Sequence, residues 1–131
     1  MRVITLKQPW ATLVAMGIKN IEFRSWKTNY RGKILIHAGI GIDKQAMKKY
    51  EYLGFEYPSG CIVAETEIID CLYLDDELNK KIISQKNIAY GSKYRTGYAW
   101  ILSNTKKINS SIKIKGQLGI WNINNIETNN M

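Results

Sequence analysis

The chain has 131 residues, enough for one domain, and with 45% hydrophobic and 23% charged residues it is too apolar to be disordered. Two cysteines without a CxxC motif and a single histidine exclude a disulfide-rich scaffold and a multi-histidine metal centre, so we predict no metal and no cofactor. Apolar runs stay short of the roughly 20 residues that span a bilayer, and Lys7 interrupts any signal peptide. We therefore expect a cytoplasmic protein without a membrane partner, monomeric by default.

The N-terminal part of the chain predicts a strand, a helix and a second strand. Residues 2–7 indicate a short strand, and Gln8-Pro9 predicts a helix start, because the missing N–H of proline costs nothing in the first turn. Gly17 is well placed to end this helix. Residues 21–26 alternate between apolar and polar side chains, as a half-buried strand does.

The next segment predicts a buried strand followed by a helix. Residues 33–38 are almost wholly apolar, which indicates a strand buried on both faces, and Gly39 and Gly41 are expected to break it. Asp43 can cap a second helix that runs to about Leu53.

The remaining elements complete a mixed fold. Residues 61–74 predict the longest strand, with a bulge or bend where the alternation fails. Residues 75–84 predict a third helix, and residues 97–102 and 119–123 the last strands. Five or six short strands with two or three short helices predict a mixed α/β (α+β) fold, and the long bent strand favours a small, partly closed β-barrel. We expect one domain over residues 1–123 and a polar, frayed tail over 124–131.

Positive charge is concentrated in the C-terminal half. The formal net charge is +8, and from Leu78 to Ile126 there are nine basic residues and no acidic one. Such a one-signed stretch attracts polyanions, so nucleic acid is the expected partner; the alternative is a compositional bias toward Lys, Asn and Ile. The predicted contacts to a nucleic-acid backbone are Lys93, Arg95, Lys106, Lys107, Lys113 and Lys115.

The densest group of functional side chains lies in residues 17–24. Lys19 leaves the loop after the first helix, and Glu22 and Arg24 leave one face of the next strand, because side chains at i and i+2 point the same way. Trp26 continues that face. Together they suit a planar ligand that hydrogen-bonds and stacks. The alternative is a solvated face with ordinary ion pairs, each contributing about 0–1 kcal/mol.

Other residues give weaker signals. Tyr98 shares strand parity with Trp100 and follows a segment that mixes basic and aromatic residues, as single-strand grooves do. His37, inside an apolar strand, is interpreted as a satisfied core residue. Glu65 and Glu67 share a strand face, either as paired carboxylates or facing solvent. Cys61 and Cys71 are expected to be buried thiols.

Several motifs together resemble the ASCH domain, a member of the PUA-like superfamily. They span residues 4–121 and are Lys7-Gln8-Pro9-Trp10-Ala11, Gly17-x-Lys19-x-x-Glu22-x-Arg24, Arg31-Gly32 before Ile36-His37-Ala38, Tyr98-Ala99-Trp100, and Gly116-Gln117-x-Gly119-x-Trp121. The resemblance implies a PUA-like barrel whose cleft takes RNA or a modified base. It places Lys19, Glu22 and Arg24 on the cleft wall, and sequence proximity places Gln8, Trp10 and Trp26 beside it.

Three functional hypotheses follow. The first is a binding module that holds a nucleobase of RNA, or a nucleotide, in the cleft. The second is a hydrolase acting on a modified nucleoside or on RNA, with Lys19 and Glu22 catalytic; some ASCH proteins deacetylate N4-acetylcytidine with a lysine and a threonine, and here Lys19 matches the lysine while Glu22 stands in the place of the threonine. The third is a protein-interaction domain with a peptide groove.

Overall fold

The structure is a computed structural model that describes residues 1–124; most of the predicted tail, residues 125–131, lies outside the described part. It contains six strands, three α-helices and one 3₁₀ helix, which confirms the mixed α/β class. In chain order the elements are β1 (Arg2–Gln8), α1 (Trp10–Ala15), β2 (Ile21–Arg24), β3 (Gly32–Ile42), α2 (Lys44–Lys49), the 3₁₀ helix (Glu51–Leu53), β4 (Cys61–Tyr73), α3 (Asp76–Ser84), β5 (Tyr98–Lys107) and β6 (Ile120–Asn122).

All six strands belong to one sheet with the order β2-β5-β4-β3-β1-β6. The pairing of β1 with β3 is parallel, and every other neighbouring pair is antiparallel. Within residues 1–124, β2 and β6 remain the two edges, so the sheet curls without closing. This is the predicted partly closed barrel.

One expectation was wrong: Gly39 and Gly41 do not break β3, which runs on to Ile42. The parallel pairing with β1 shifts register at these glycines, between Leu6 opposite Ala38 and Gln8 opposite Ile42, and resumes beyond them. A Cβ atom at Gly39 would lie 2.9 Å from the Thr5 side chain. Glycine here permits close approach of two strands and does not interrupt one.

The predicted bend in β4 is confirmed, because its pairing with β5 shifts register twice, between Glu65 and Glu67 and between Ile68 and Asp70. The predicted cap of the second helix at Asp43 is confirmed as well, but α2 ends at Lys49 and a separate 3₁₀ helix, not α2, reaches Leu53. The Asp43 side chain accepts from the Ala46 N–H in front of α2, and Asp75 begins α3. β5 is longer than predicted, because its pairing with β4 continues as far as Lys107.

The core is organised around α1, which packs onto the sheet. The side chains of Val14 and Ala15 join an apolar cluster with Ile36, Ala64 and the fully buried Trp100. Leu13, on the other side of α1, packs with residues of α2 and α3. The helix is therefore held between the sheet and the two other helices, and its C-terminal end delivers the chain to β2.

Candidate functional site

Lys19, Glu22 and Arg24 form one continuous ion-pair chain. The Lys19 Nζ atom lies 2.7 Å from Glu22 Oε1, and Arg24 Nε lies 3.0 Å from Glu22 Oε2. Each oxygen of the carboxylate thus accepts a hydrogen bond from a different cation. The three side chains therefore converge, as the strand parity of residues 22 and 24 predicts.

Lys19 is the buried member of the chain, with 4% of its surface exposed. Its Nζ also donates to the Ile21 carbonyl oxygen and lies 5.5 Å from the centre of the Phe23 ring. Burial lowers the pKa of the Lys19 ammonium below its ordinary value of 10.5, although the nearby Glu22 carboxylate opposes this shift. The loop that carries Lys19 is fixed by Tyr90, whose hydroxyl accepts from the Asn20 and Ile21 N–H groups.

Arg24 connects the ion pairs of Lys19 and Glu22 to strand β1. Its Nη2 donates to the Thr5 carbonyl oxygen of β1 at 3.0 Å. Five N–H donors are available on a guanidinium, and the bonds to Glu22 and Thr5 use two of them. Donors therefore remain for a ligand, beside the carboxylate acceptor of Glu22.

Glu22 and Arg24 face a cavity of about 740 Å³, called the cleft below. Its walls come from β1, β2, the glycine-containing end of β3, and the irregular segment of residues 113–119, called the strap below. The charged side chains in the lining are those of Lys7, Glu22, Arg24 and Lys115. A cavity of this size accommodates a nucleotide-sized ligand.

The strap is attached to the sheet through His37. The His37 ring lies 2.6 Å (Nε2) from the Ile114 carbonyl oxygen and 3.2 Å (Nδ1) from Thr5 Oγ1, which also accepts from Trp121 Nε1. Because a carbonyl oxygen only accepts, the bond to Ile114 places a proton on His37 Nε2; in the neutral ring, Nδ1 then accepts from the Thr5 hydroxyl. Gly116 lies directly over Thr5 and His37, and His37 is 1% exposed. This agrees with the interpretation of His37 as a satisfied core residue.

The structure brings only some of the predicted ligand contacts to the cleft. Trp10, Glu22 and Arg24 line it, and Lys19 lies behind Glu22. Gln8, Trp26 and Tyr98, by contrast, do not line it.

Each of these three side chains has another contact. Gln8 is fully buried and bonds to Thr12 and to the Pro58 carbonyl oxygen, so it fixes the start of α1. Trp26 follows the end of β2 and packs edge-on against Trp100 at 4.7 Å. Tyr98 packs against Tyr73.

The basic residues predicted to contact a nucleic-acid backbone are dispersed. Lys115 lines the cleft, and Lys113 on the same strap donates to the Ser59 carbonyl oxygen at 2.6 Å. Arg95 stacks over the Phe23 ring at 4.2 Å, behind the cleft wall. The exposed side chains of Lys93, Lys106 and Lys107 do not line the cleft.

Sequence reasoning missed several parts of the cleft. Thr5 and Lys7 line it from β1, and Ile40 and Leu118, the most exposed large apolar side chains of residues 1–124, stand in its walls. The signal that the sequence carries for the two apolar residues is their position beside glycines, at Gly39-Ile40-Gly41 and Leu118-Gly119.

The two cysteines and the two glutamates singled out in the sequence do not line the cleft. Cys61 and Cys71 are free and buried, as expected. Glu65 and Glu67 are half-buried in β4, opposite Lys106 and Ser103 of β5.

The open, curled sheet and the cleft beside α1 define a small PUA-like domain. The sequence model of the ASCH domain matches residues 4–112, so the chain belongs to the ASCH domain family, a PUA-like RNA-binding family. Among curated proteins it is similar to activating signal cointegrator 1 of mouse and of human, each 29% identical over 133 aligned positions that cover 92% of this chain. The chain spans about a fifth (22%) of the length of these relatives.

No helix within residues 1–124 has the length and hydropathy of a membrane span.

Proposed function

We propose that this chain binds single-stranded RNA and holds one nucleobase, ordinary or modified, in the cleft. The observation that carries the proposal is the Glu22 carboxylate, fixed between Lys19 and Arg24 in the cleft wall. A carboxylate accepts hydrogen bonds and a guanidinium donates them. Side by side, they match the edge of a base, which presents both donors and acceptors.

The rest of the lining supports the same ligand. Trp10 offers an aromatic ring for stacking, and Ile40 and Leu118 contribute apolar surface that has no partner within residues 1–124. Lys7 of β1 and Lys115 of the strap are exposed cations in the lining of the cleft. These two lysines are placed to meet the phosphates that flank a bound base.

The test measures the affinity for a labelled single-stranded RNA by fluorescence anisotropy at several salt concentrations. We expect the logarithm of affinity to fall linearly with the logarithm of salt, by about 0.7 for each phosphate contact. Arg24→Gln should weaken binding about tenfold or more, since it removes a charged donor to the ligand. Arg31→Gln is the matched control, because Arg31 is exposed and does not line the cleft.

An affinity that is insensitive to salt, or equal losses in the two arginine variants, would contradict the proposal. A circular dichroism spectrum of each variant establishes that it is folded before binding is compared.

A second candidate function is hydrolysis of a modified nucleoside or of RNA, and the buried Lys19 is the observation that favours it. Lysines whose pKa is lowered by burial occur at active sites. In this alternative Glu22 takes a proton from water and Lys19 activates the site.

The two functions are separated by incubating the protein with N4-acetylcytidine and with single-stranded RNA and measuring product. Turnover that is lost in Glu22→Gln, with binding retained, would establish the hydrolase. The absence of turnover by the unmodified protein would leave binding as the function.

A further inference from the structure

A second hollow, separate from the cleft, lies between the 3₁₀ helix and the loop after α3. Its volume is about 460 Å³, and it is called the groove below. Tyr50 forms part of its lining and is 1% exposed, and the Tyr50 hydroxyl donates to the Ile88 carbonyl oxygen at 2.5 Å. This bond joins the two walls, so the groove is preformed in the fold.

The groove combines an exposed aromatic ring with cations that form no ion pair, although the Lys49 ammonium lies 5.2 Å from the centre of the Tyr50 ring. Tyr52 is 72% exposed, and Lys49 and Lys86 are exposed beside it. Within the described part of the chain, no ion pair involves either lysine, and the Tyr52 hydroxyl has no hydrogen-bond partner. No aspartate or glutamate lines the groove; the neighbouring Glu51 lies outside it. An aromatic platform between ammonium groups suits a stacked base with its phosphates.

The groove and the cleft lie on either side of the contact between the Trp10 and Tyr50 rings. Trp10 lines the cleft, Tyr50 lines the groove, and their ring centroids are 5.7 Å apart in an edge-to-face contact. A strand with one base beside Trp10 therefore has a second basic and aromatic site on the other side of this ring pair.

We propose that the groove is a second nucleotide site for the same single-stranded RNA, in which a base stacks on Tyr52 while Lys49 and Lys86 bind adjacent phosphates. This inference rests on the proposed function of the cleft and extends it. The ligand is then an oligonucleotide that spans both hollows, and a free nucleoside occupies only the cleft.

The experiment compares a uridine mononucleotide with a single-stranded uridine decanucleotide, both labelled, in the full chain. The groove variants are Tyr52→Ala and Lys86→Ala. Their matched controls are Tyr73→Ala and Lys80→Ala, which alter exposed residues that line neither hollow. Arg24→Gln reports on the cleft.

We expect the decanucleotide to bind more tightly than the mononucleotide in the unmodified protein. Tyr52→Ala should weaken the decanucleotide about fivefold or more and weaken the mononucleotide much less, because a single nucleotide occupies mainly the cleft whereas the decanucleotide also stacks on Tyr52. Lys86→Ala should weaken the decanucleotide and reduce the salt dependence by about one phosphate contact. Arg24→Gln should weaken both ligands.

Two results would overturn the groove site. If the groove variants bind the decanucleotide as the controls do, while Arg24→Gln weakens the mononucleotide, the groove proposal fails and the cleft proposal stands. If Arg24→Gln leaves mononucleotide binding unchanged, the cleft proposal fails, and the groove site fails with it.

Discussion

The guanidinium of Arg24 donates a hydrogen bond to the backbone carbonyl oxygen of Thr5 at 3.0 Å. Arg24 ends β2, an edge strand of the sheet, and Thr5 lies in β1, four strands away in the sheet order. The same guanidinium binds Glu22. One side chain therefore both draws the open sides of the sheet together and shapes the cleft wall.

Removing the two ends of the Lys19–Glu22 pair should reduce stability by different amounts. Glu22→Gln leaves the buried Lys19 and the half-buried Arg24 without a carboxylate, so we expect the free energy of unfolding to fall by about 3 kcal/mol. Lys19→Met removes a buried charge and keeps the Glu22–Arg24 pair, so its loss should be smaller. Urea unfolding of both variants measures the difference, and an equal or larger loss in Lys19→Met would contradict this account.

Stability should depend on pH through His37. Burial lowers the pKa of His37 in the folded chain below its ordinary value of 6.5. As the pH falls through 6.5, the unfolded chain therefore binds the proton first, and stability is lost from about pH 6.5 downward until the lowered pKa is passed. Thermal melts between neutral pH and pH 5 should show this loss in the unmodified protein. His37→Gln lacks the titrating group, so its melting temperature should fall less over the same pH range. If both proteins lose stability to the same extent, His37 is not the group responsible.

The strap should tolerate no side chain at Gly116. A Cβ atom there would lie 2.9 Å from Thr5 Oγ1 and 3.0 Å from the His37 ring, so Gly116→Ala should reduce stability by about 1–3 kcal/mol. Gly41→Ala is the control: its nearest contact would be 3.7 Å, to the Lys7 side chain on the same cleft. Melting temperatures compare the two variants, and similar values would show that the strap moves away at little cost.

The hydroxyl of Tyr90 should stabilise the loop that carries Lys19. Tyr90→Phe removes the acceptor of the Asn20 and Ile21 N–H groups, and leaving buried donors unpaired costs about 1–3 kcal/mol. Tyr94→Phe, which removes an exposed hydroxyl bonded to Asp76, should cost much less. Denaturant unfolding distinguishes them; a Tyr90 variant as stable as the Tyr94 variant would mean that water replaces the hydroxyl.

The sequence was most informative where a regular element fixes side-chain direction. Glu22 and Arg24 were predicted together because two positions along a strand return to the same face. The same reasoning failed for Trp26, because β2 ends at Arg24 and parity has no meaning beyond a strand. At that point the Gly97 backbone packs so closely on the Arg24 carbonyl that a Cβ atom at Gly97 would lie 2.6 Å from it.

The position of the strap in the cleft wall could not be predicted from the sequence, although Lys115 was predicted as a contact and Leu118-Gly119 carries a local signal. The strap has no regular secondary structure, so no periodicity marks which of its side chains face inward. Its position follows from long-range bonds, such as that between His37 and Ile114, 77 residues apart in sequence. Gln8 was predicted beside the ligand for a related reason. Its hydrogen-bond partners are Thr12, in the first turn of α1, and Pro58, in a loop 50 residues away, which the local sequence does not show.

The position of Trp10 in the cleft lining makes its fluorescence a reporter of ligand binding. Trp10 is the one tryptophan of the described chain that lines the cleft, whereas Trp100 and Trp121 are buried in the core. A base that stacks on its indole changes the surroundings of this fluorophore and leaves those of the two core indoles as they are. Occupancy of the cleft can therefore be followed by intrinsic emission, without a dye on either the protein or the nucleic acid.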